Sequence, residues 1–294
     1  MRRATSRYSA GPDDMGTRLS LLGGTLLTLA ASAWLATLVA GTPAVIVAAA
    51  VAPAALYAFL IIWAQRRDAR PPSLLIASLL WGITGAAFVS HTLNDLARAW
   101  LDVVAGPQAR ALTATLVAPA IEEAAKASGL GLLRSVRPRS IATIRDGIVY
   151  GALIGVGFVV AENLIYLAFA ALQGGESGLA RSVYLRGLVA GANHAVFTAT
   201  VGAGIGGVRA AIAPRARVAA LSAGIVAALA QHLAWNAIAS HVIVGALCGA
   251  TTPGGACLPT PAAADLFIVV PLVVAAFLGP GAVALLVVYG RDRR

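Results

Sequence analysis

Long apolar runs separated by short polar stretches make up most of this chain. Eight of the runs contain about 20 residues or more with few charges, the length that an α-helix needs to cross the hydrocarbon core of a bilayer. They lie near residues 19–40, 44–64, 73–91, 111–133, 146–172, 184–208, 217–240 and 264–289. The pattern predicts an all-α fold, a polytopic transmembrane helical bundle of about eight spans.

The composition supports a membrane protein. Of the 294 residues, 59% are hydrophobic and 12% are charged, and the mean hydropathy is +0.83, whereas soluble domains carry about 25% charged residues. The net charge of +10 would otherwise suggest a nucleic-acid partner. We expect no such partner, because the basic residues occupy short segments between the spans and no basic stretch is interleaved with aromatic residues.

The distribution of basic residues predicts the orientation of the spans. Most of the 22 Lys and Arg residues lie in alternate segments that include both termini. Only Arg98, Arg110, Arg181 and Arg186 fall in the segments of the opposite side. Because short cytoplasmic loops accumulate Lys and Arg, we expect both termini to be cytoplasmic (N-in/C-in), in a membrane of the bacterial inner-membrane type.

Charged residues inside an apolar run are the strongest functional signal in the sequence. Glu122, Glu123 and Lys126 lie in the fourth run, where each charge costs roughly 2.5–3.5 kcal/mol even on the gentlest scale. The other polar residues of this kind are Glu162 and Asn163 in the fifth run, His194 in the sixth, and His232 and Asn236 in the seventh. At 1.5 Å per residue, Glu122, Glu162, His194 and His232 all fall roughly 12–17 Å below the outer surface, so we expect them to meet.

Each of these residues could instead have a purely structural role. Glu122 and Lys126 are spaced i, i+4 and could form a buried ion pair, and Glu123 could reach Lys126 at i+3. Glu162 could cap a break in its helix, and His194 could be a hydrogen-bonded core histidine. The coincidence of four such groups at one depth favours a functional site.

The residue types permit two kinds of hydrolysis. A glutamate can act as general base on water and return the proton to an amine, with His194, His232 and Asn236 binding the oxyanion. Alternatively, Glu122, His194 and His232 can hold a metal that acidifies water. The chain has no HExxH motif and no serine elbow, and its cysteines lie outside this region. The sequence leaves the choice between the two mechanisms open.

Four short motifs in order resemble those of the PrsW-type intramembrane proteases, a branch of the superfamily that includes the CAAX prenyl proteases and bacteriocin-immunity-type membrane proteins. Residues 122–126 match an EExxK element, and residues 151–166 match a glycine-rich stretch that ends in ENxxY. His194 matches a lone-histidine element, and residues 232–236 match HxxWN. The resemblance covers about residues 111–240.

This resemblance implies proteolysis within or near the membrane. Glu122 would activate water, assisted by the remaining catalytic candidates Glu123, His194, His232 and Asn236, with Lys126, Glu162 and Asn163 in supporting positions. The cofactor would be a divalent metal such as zinc, or none. The partners would be membrane lipid and a single-pass membrane protein, for which an anti-sigma factor cut at the extracytoplasmic side in a stress response is one example.

The predicted organisation has four parts. They are a disordered cytoplasmic tail (1–17), N-terminal transmembrane helices with an interfacial amphipathic helix (18–110), a catalytic transmembrane core (111–240), and an outer loop with the last helix (241–294). Cys248 and Cys257, the only cysteines, lie in the outer loop and form either a small disulfide or two free thiols.

Two other classes of function remain open. A proton-coupled transporter also uses intramembrane Glu and His residues, although the chain shows no clear internal repeat of the kind that many transporters have. A non-catalytic membrane scaffold or immunity protein could keep the charged residues for packing alone.

Overall fold

The computed structural model describes residues 15–66, 68, 70–239, 242–243 and 265–291. Most of the predicted tail, both cysteines and most of the predicted outer loop lie outside these ranges. The α-helices are α1 (Met15–Ala40), α2 (Ala44–Ala64), α3 (Pro72–Trp81), α4 (Ala87–Ala105), α5 (Ala109–Leu112), α6 (Ala118–Val136), α7 (Ile144–Ser182), α8 (Asn193–Ala210), α9 (Pro214–Ala234) and α10 (Val270–Arg291). No β-strand occurs in the described part of the chain. The all-α prediction is therefore confirmed.

Within the described ranges, six helical segments are long and apolar enough to cross a membrane. Two of them, Pro72–Val136 and Ile144–Arg209, contain 65 and 66 residues, and a straight helix of that length would extend about 100 Å. Each contains a glycine with positive φ, Gly106 at 54° and Gly175 at 59°. The left-handed region is easily adopted only by glycine, so these two positions allow the chain to change direction.

Short π-helical segments extend several helices, and two of them, Gly82–Ala86 and Thr113–Val117, each join two helices directly. The π-helical segments of the described ranges are Gly82–Ala86, Thr113–Val117, Val183–Val189, Trp235–Ala239 and Asp265–Val269. Some boundaries therefore differ from those predicted: the third run continues through α4 to Ala105, and α8 begins at Asn193 although the apolar run begins near residue 184. The hydrophobic pattern alone cannot locate a change from α-helix to π-helix, because apolar residues are equally compatible with both kinds of helical turn.

Helix α7 forms the centre of the bundle, with α2, α3, α6 and α8 packed around it. Its residues from Val149 to Leu164 are all buried. Glycines spaced four apart form its contact with α8: a Cβ at Gly151 would collide with the carbonyl of Thr198, and one at Gly155 with the carbonyl of His194. Small residues at this spacing let two backbones approach closely.

An ion-pair network joins three elements at the other end of α7. Arg70 Nε lies 2.8 Å from Asp146 Oδ1, and Arg70 Nη1 lies 3.0 Å from Asp68 Oδ2. Arg145 pairs with Asp68, and the Tyr289 hydroxyl donates to Asp68 Oδ2 at 2.9 Å. The loop after α2, the start of α7 and the end of α10 therefore lie at the same end of the bundle.

We expect Gly155→Ala to lower the free energy of unfolding by about 1–3 kcal/mol, because the added methyl forces α8 away from α7. Gly131→Ala is the matched control, since a Cβ there meets nothing within 4 Å. Thermal unfolding in detergent should show a lower melting temperature for Gly155→Ala and an unchanged or higher one for Gly131→Ala. Equal melting temperatures for the two variants would contradict the close approach.

Asp68 predicts a pH dependence of stability. Its burial favours the neutral form, but hydrogen bonds from Tyr289 and Arg70 and the charges of Arg70 and Arg145 outweigh burial and lower the pKa of Asp68. A carboxyl whose pKa is lower in the folded protein stabilises it above the unfolded pKa of about 4, and this stabilisation is lost as the pH falls through the folded value.

We therefore expect Asp68→Asn to be less stable than wild type at pH 7. The difference in melting temperature should shrink on acidification below about pH 4. Melting curves of both proteins measured from pH 7 to pH 3 test this expectation. A difference that stays constant with pH would show that Asp68 contributes through packing rather than through its charge.

Candidate active site

Helix α6 brings two glutamates and a lysine into the interior of the bundle. The Ala-rich segment favours a helix, and Pro119 lies just after the π-helical segment Thr113–Val117 that leads into α6. Glu122, Glu123 and Lys126 are all buried, and Lys126 is 0% exposed. Lys126 Nζ lies 2.7 Å from Glu123 Oε1 and 3.8 Å from Glu122 Oε2. The closer ion pair is thus the i, i+3 pair.

Glu123 connects α6 to two other helices. His232, in the last turn of α9, places Nδ1 2.9 Å from Glu123 Oε1, and Thr198 of α8 donates to Oε2 at 3.3 Å. Together with Lys126, these contacts occupy both oxygens of the carboxylate. Glu123 therefore fixes the orientation of the His232 ring, and His232 Nε2 points away from it.

His194 lies in the first turn of α8 and has partners on both ring nitrogens. Lys126 Nζ lies 2.8 Å from Nδ1, and Glu162 Oε2 lies 2.9 Å from Nε2. An ammonium only donates hydrogen bonds, so Nδ1 accepts and the proton on Nε2 is donated to Glu162. The rings of His194 and His232 are 5.0 Å apart, and Phe197 stacks on His232 with centroids 4.8 Å apart.

Arg186 also belongs to the site, although it is not among the site residues predicted from the sequence. Its Nη2 donates to Glu162 Oε2 at 3.1 Å, its Nε donates to Asn163 Oδ1 at 3.2 Å, and its guanidinium lies 3.8 Å from the ring centre of Tyr166. The ENxxY residues of α7 therefore form the binding surface for this arginine. Arg186 was counted only as a topological charge, although its place within an apolar run was a signal like that of Lys126.

Glu122, His194 and His232 could hold a metal ion. Each offers one ligand atom, and these atoms all lie within 4.8 Å of one another. Glu122 Oε2 is buried without a hydrogen-bond partner in the described structure, and His232 Nε2 lies 3.7 Å from it. An unsatisfied buried carboxylate oxygen beside two imidazoles fits a divalent cation, since two histidines and a glutamate form one of the ligand sets of catalytic zinc.

The partners of the two histidines also fit a metal. Histidines that bind metals commonly donate their other ring N–H to a carboxylate, which fixes the ring and strengthens the ligand. Glu123 is placed to do this for His232, and Glu162 for His194. The donor set and its supporting carboxylates are therefore both present.

A cavity of about 220 Å³ adjoins these residues. Its polar wall includes Glu162, Arg186, His194 and Asn236, and Val270 and Val274 of α10 line the apolar side. Asn236 donates to the backbone carbonyl of Ala114 at 2.9 Å. The cavity provides room for a ligand next to the cluster.

The structure brings most of the predicted site residues together. Glu122, Glu123, Lys126, Glu162, His194 and His232 form one continuous set of contacts. Asn163 joins the set through Arg186, and Asn236 lies on the cavity wall. The roles assigned to the individual residues remain predictions.

The fold and the site define a class: a polytopic helical membrane protein with a buried carboxylate–histidine cluster of the kind that metal-dependent hydrolases use. Residues 70–277 match the family model described as PrsW family intramembrane metalloprotease. This match covers more than half of the chain, so the chain belongs to that family, and the resemblance noted in the sequence is confirmed. Comparison with curated proteins and with solved structures gives no match.

We expect Glu162→Gln to weaken divalent-metal binding by about 10–100-fold, the usual effect of losing a carboxylate that orients a ligand histidine. Glu176→Gln is the matched control, because Glu176 is exposed on the same helix. Zinc titration of both purified variants against a competing chelator measures the affinities. Equal affinity in Glu162→Gln and wild type would show that Glu162 does not support a metal ligand.

Proposed function

We propose that this protein is an endopeptidase that hydrolyses a peptide bond of a single-pass membrane protein, near the extracytoplasmic side of a bacterial-type inner membrane. The observation that carries the proposal is the buried carboxylate of Glu122, one oxygen of which has no hydrogen bond in the described structure, beside His194 and His232. Membership of an intramembrane metalloprotease family supports the general activity. The substrate, the mechanism and the topology are our proposals.

The proposed topology has eight spans with both termini cytoplasmic. It follows if the chain reverses direction at Gly106 and at Gly175, which divides each of the two longest apolar segments into two spans. The ion pairs of Asp68 with Arg145 and of Arg70 with Asp146 support it. They join the loop after α2 to the start of α7, two segments that the proposed topology places on the same side.

The depth of the site supports cleavage near the outer side. Asp146 marks the cytoplasmic end of α7 in this topology, and Glu162 follows it by about 24 Å along the helix axis at 1.5 Å per residue. The hydrocarbon core is about 30 Å thick. The cluster therefore lies in the outer half of the bilayer, where an extracytoplasmic segment of the substrate can reach it.

The residues present can carry out each step of the hydrolysis. Glu122 takes a proton from water, the resulting hydroxide attacks the scissile carbonyl carbon, and the proton is returned to the departing amine. Lys126 Nζ and His232 Nε2 lie 3.8 and 3.7 Å from Glu122 Oε2, and Arg186 and Asn236 line the cavity wall. In the alternative mechanism, a divalent metal held by Glu122, His194 and His232 would acidify the water and polarise the carbonyl in place of the glutamate base.

Arg186 is suited to bind the substrate backbone. Glu162, Asn163 and Tyr166 hold its guanidinium in place, while the side chain remains 35% exposed in a residue that lines the cavity. A preorganised donor of this kind stabilises a carbonyl oxygen that becomes negative during the reaction. An anti-sigma factor is one candidate substrate; the apolar side of the cavity is compatible with many single-pass proteins.

The test is cleavage in liposomes. Wild type, Glu122→Gln and the control Glu176→Gln would each be incubated with single-pass membrane proteins of the native host, and fragments identified by mass spectrometry. We expect Glu122→Gln to cut at least about 100-fold more slowly, with Glu176→Gln like wild type. Equal cleavage by wild type and Glu122→Gln would refute the mechanism. Proton flux without fragments would indicate a transporter.

A further inference from the structure

The ammonium of Lys126 lies among the groups that would hold a metal. Its Nζ is 2.8 Å from His194 Nδ1 and 3.8 Å from Glu122 Oε2, which belong to two of the three donor residues. It is also 2.7 Å from Glu123 Oε1 and 4.3 Å from the centre of the Phe158 ring. The side chain is 0% exposed, so its hydrogen bonds are shielded from bulk solvent.

His194 cannot serve the ammonium and a metal at the same time. Its Nδ1 lone pair accepts from Lys126, and a metal at Nδ1 would need that same lone pair. If a metal took Nε2 instead, Nδ1 would carry the proton and would face an ammonium, which accepts no hydrogen bond. Either ligand atom therefore requires Lys126 to leave His194.

The charges of the cluster explain why a cation is present at this position. Glu122, Glu123 and Glu162 bring three carboxylates into the interior. Among the described residues, Lys126 and Arg186 are the lysine and arginine within ion-pair distance of them, beside the two imidazoles. Uncompensated buried carboxylates are strongly destabilising. When a metal neutralises Glu122, the ammonium can remain on Glu123, one helical turn away on α6.

We propose that Lys126 is a resident counterion that competes with a divalent metal for His194 and Glu122. It keeps the carboxylates and imidazoles assembled in the metal-free protein, and it weakens metal binding. The proposal rests on the metal site of the proposed function and not on proteolysis, so it is tested without any substrate.

The experiment compares wild type with Lys126→Met, which keeps the length of the side chain and removes its charge. Metal-stripped proteins in detergent would be titrated with zinc against a competing chelator. We expect Lys126→Met to bind zinc at least about tenfold more tightly, because a positive charge a few ångströms from the metal is lost. We also expect its metal-free form to melt at a lower temperature than metal-free wild type, with recovery on adding zinc.

Arg98→Gln is the control matched in net charge. Arg98 pairs at 3.8 Å with Asp102 on the exposed face of α4, and its side chain is 45% exposed. It should bind zinc like wild type. Equal or weaker binding by Lys126→Met would overturn the proposal and make Lys126 a supporting partner of the ligands. Failure of both wild type and Lys126→Met to bind zinc would overturn it as well.

A measurement on wild type decides the question if Lys126→Met does not fold. The chain has only four histidines, so the ¹⁵N resonances of His194 can be assigned in labelled protein with a His194→Gln variant. Adding zinc should shift the Nδ1 resonance as the ammonium leaves. Zinc binding that leaves this resonance unchanged would overturn the proposal. Neither result depends on whether the protein cleaves a peptide, so failure of the metal competition and failure of the protease assignment are distinguishable.

Discussion

The arrangement of this protein depends on the neutralisation of three carboxylates in the interior of a helical bundle. A buried charge is tolerated only when it is paired and hydrogen-bonded, and several of the contacts here join different helices. Glu123 connects α6 to α8 and α9, and Glu162 connects α7 to Arg186 and to α8. Glu122 is the exception, since one of its oxygens has no hydrogen-bond partner in the described structure. The helices that pair the other two carboxylates therefore surround one carboxylate that remains available for chemistry.

These pairings require backbones that approach closely, and the glycines of α7 provide the space. At Gly155 the missing side chain lets α8 pass with the His194 carbonyl against the α7 backbone. This contact sets the height at which His194 meets Glu162, two turns further along α7. The apolar packing and the polar site therefore depend on each other. A shift of α8 along α7 would move His194 away from both Glu162 and Lys126.

Much of the site could be predicted from the sequence, because a charge in an apolar run is costly wherever the run lies in the fold. That argument identified Glu122, Glu162, His194 and His232 on four helices, and counting residues placed them at one depth. The sequence determines less well which of these charged residues pair with each other. Helical spacing allowed Lys126 to pair with either glutamate, and only the packing of α8 and α9 against α6 shows that Glu123 is the closer one.

Other features could not be obtained from the apolar pattern. The π-helical turn that carries Arg186 lies at the start of the sixth apolar run, where the sequence resembles a regular span, because apolar residues line a turn inside a bundle as well as a helix. Arg186 was therefore assigned to topology, and its contacts with Asn163 and Tyr166 were not expected. The contacts of the ENxxY residues with this arginine give a physical role to the motif.

The position of the site along α7 suits the proposed protease better than a transporter. Between Asp146, in the ion-pair network at one end, and Glu162, in the cluster, the only ionisable residue of α7 is Tyr150. The residues from Val149 to Ala161 are buried against the neighbouring helices. A proton carrier needs polar groups that lead from its site to both sides of the membrane, whereas hydrolysis needs access from one side only. The cavity beside Arg186 lies at the cluster end of α7, and the apolar stretch of α7 separates the cluster from the other end. This one-sided arrangement suits an enzyme that receives water and substrate from the same face.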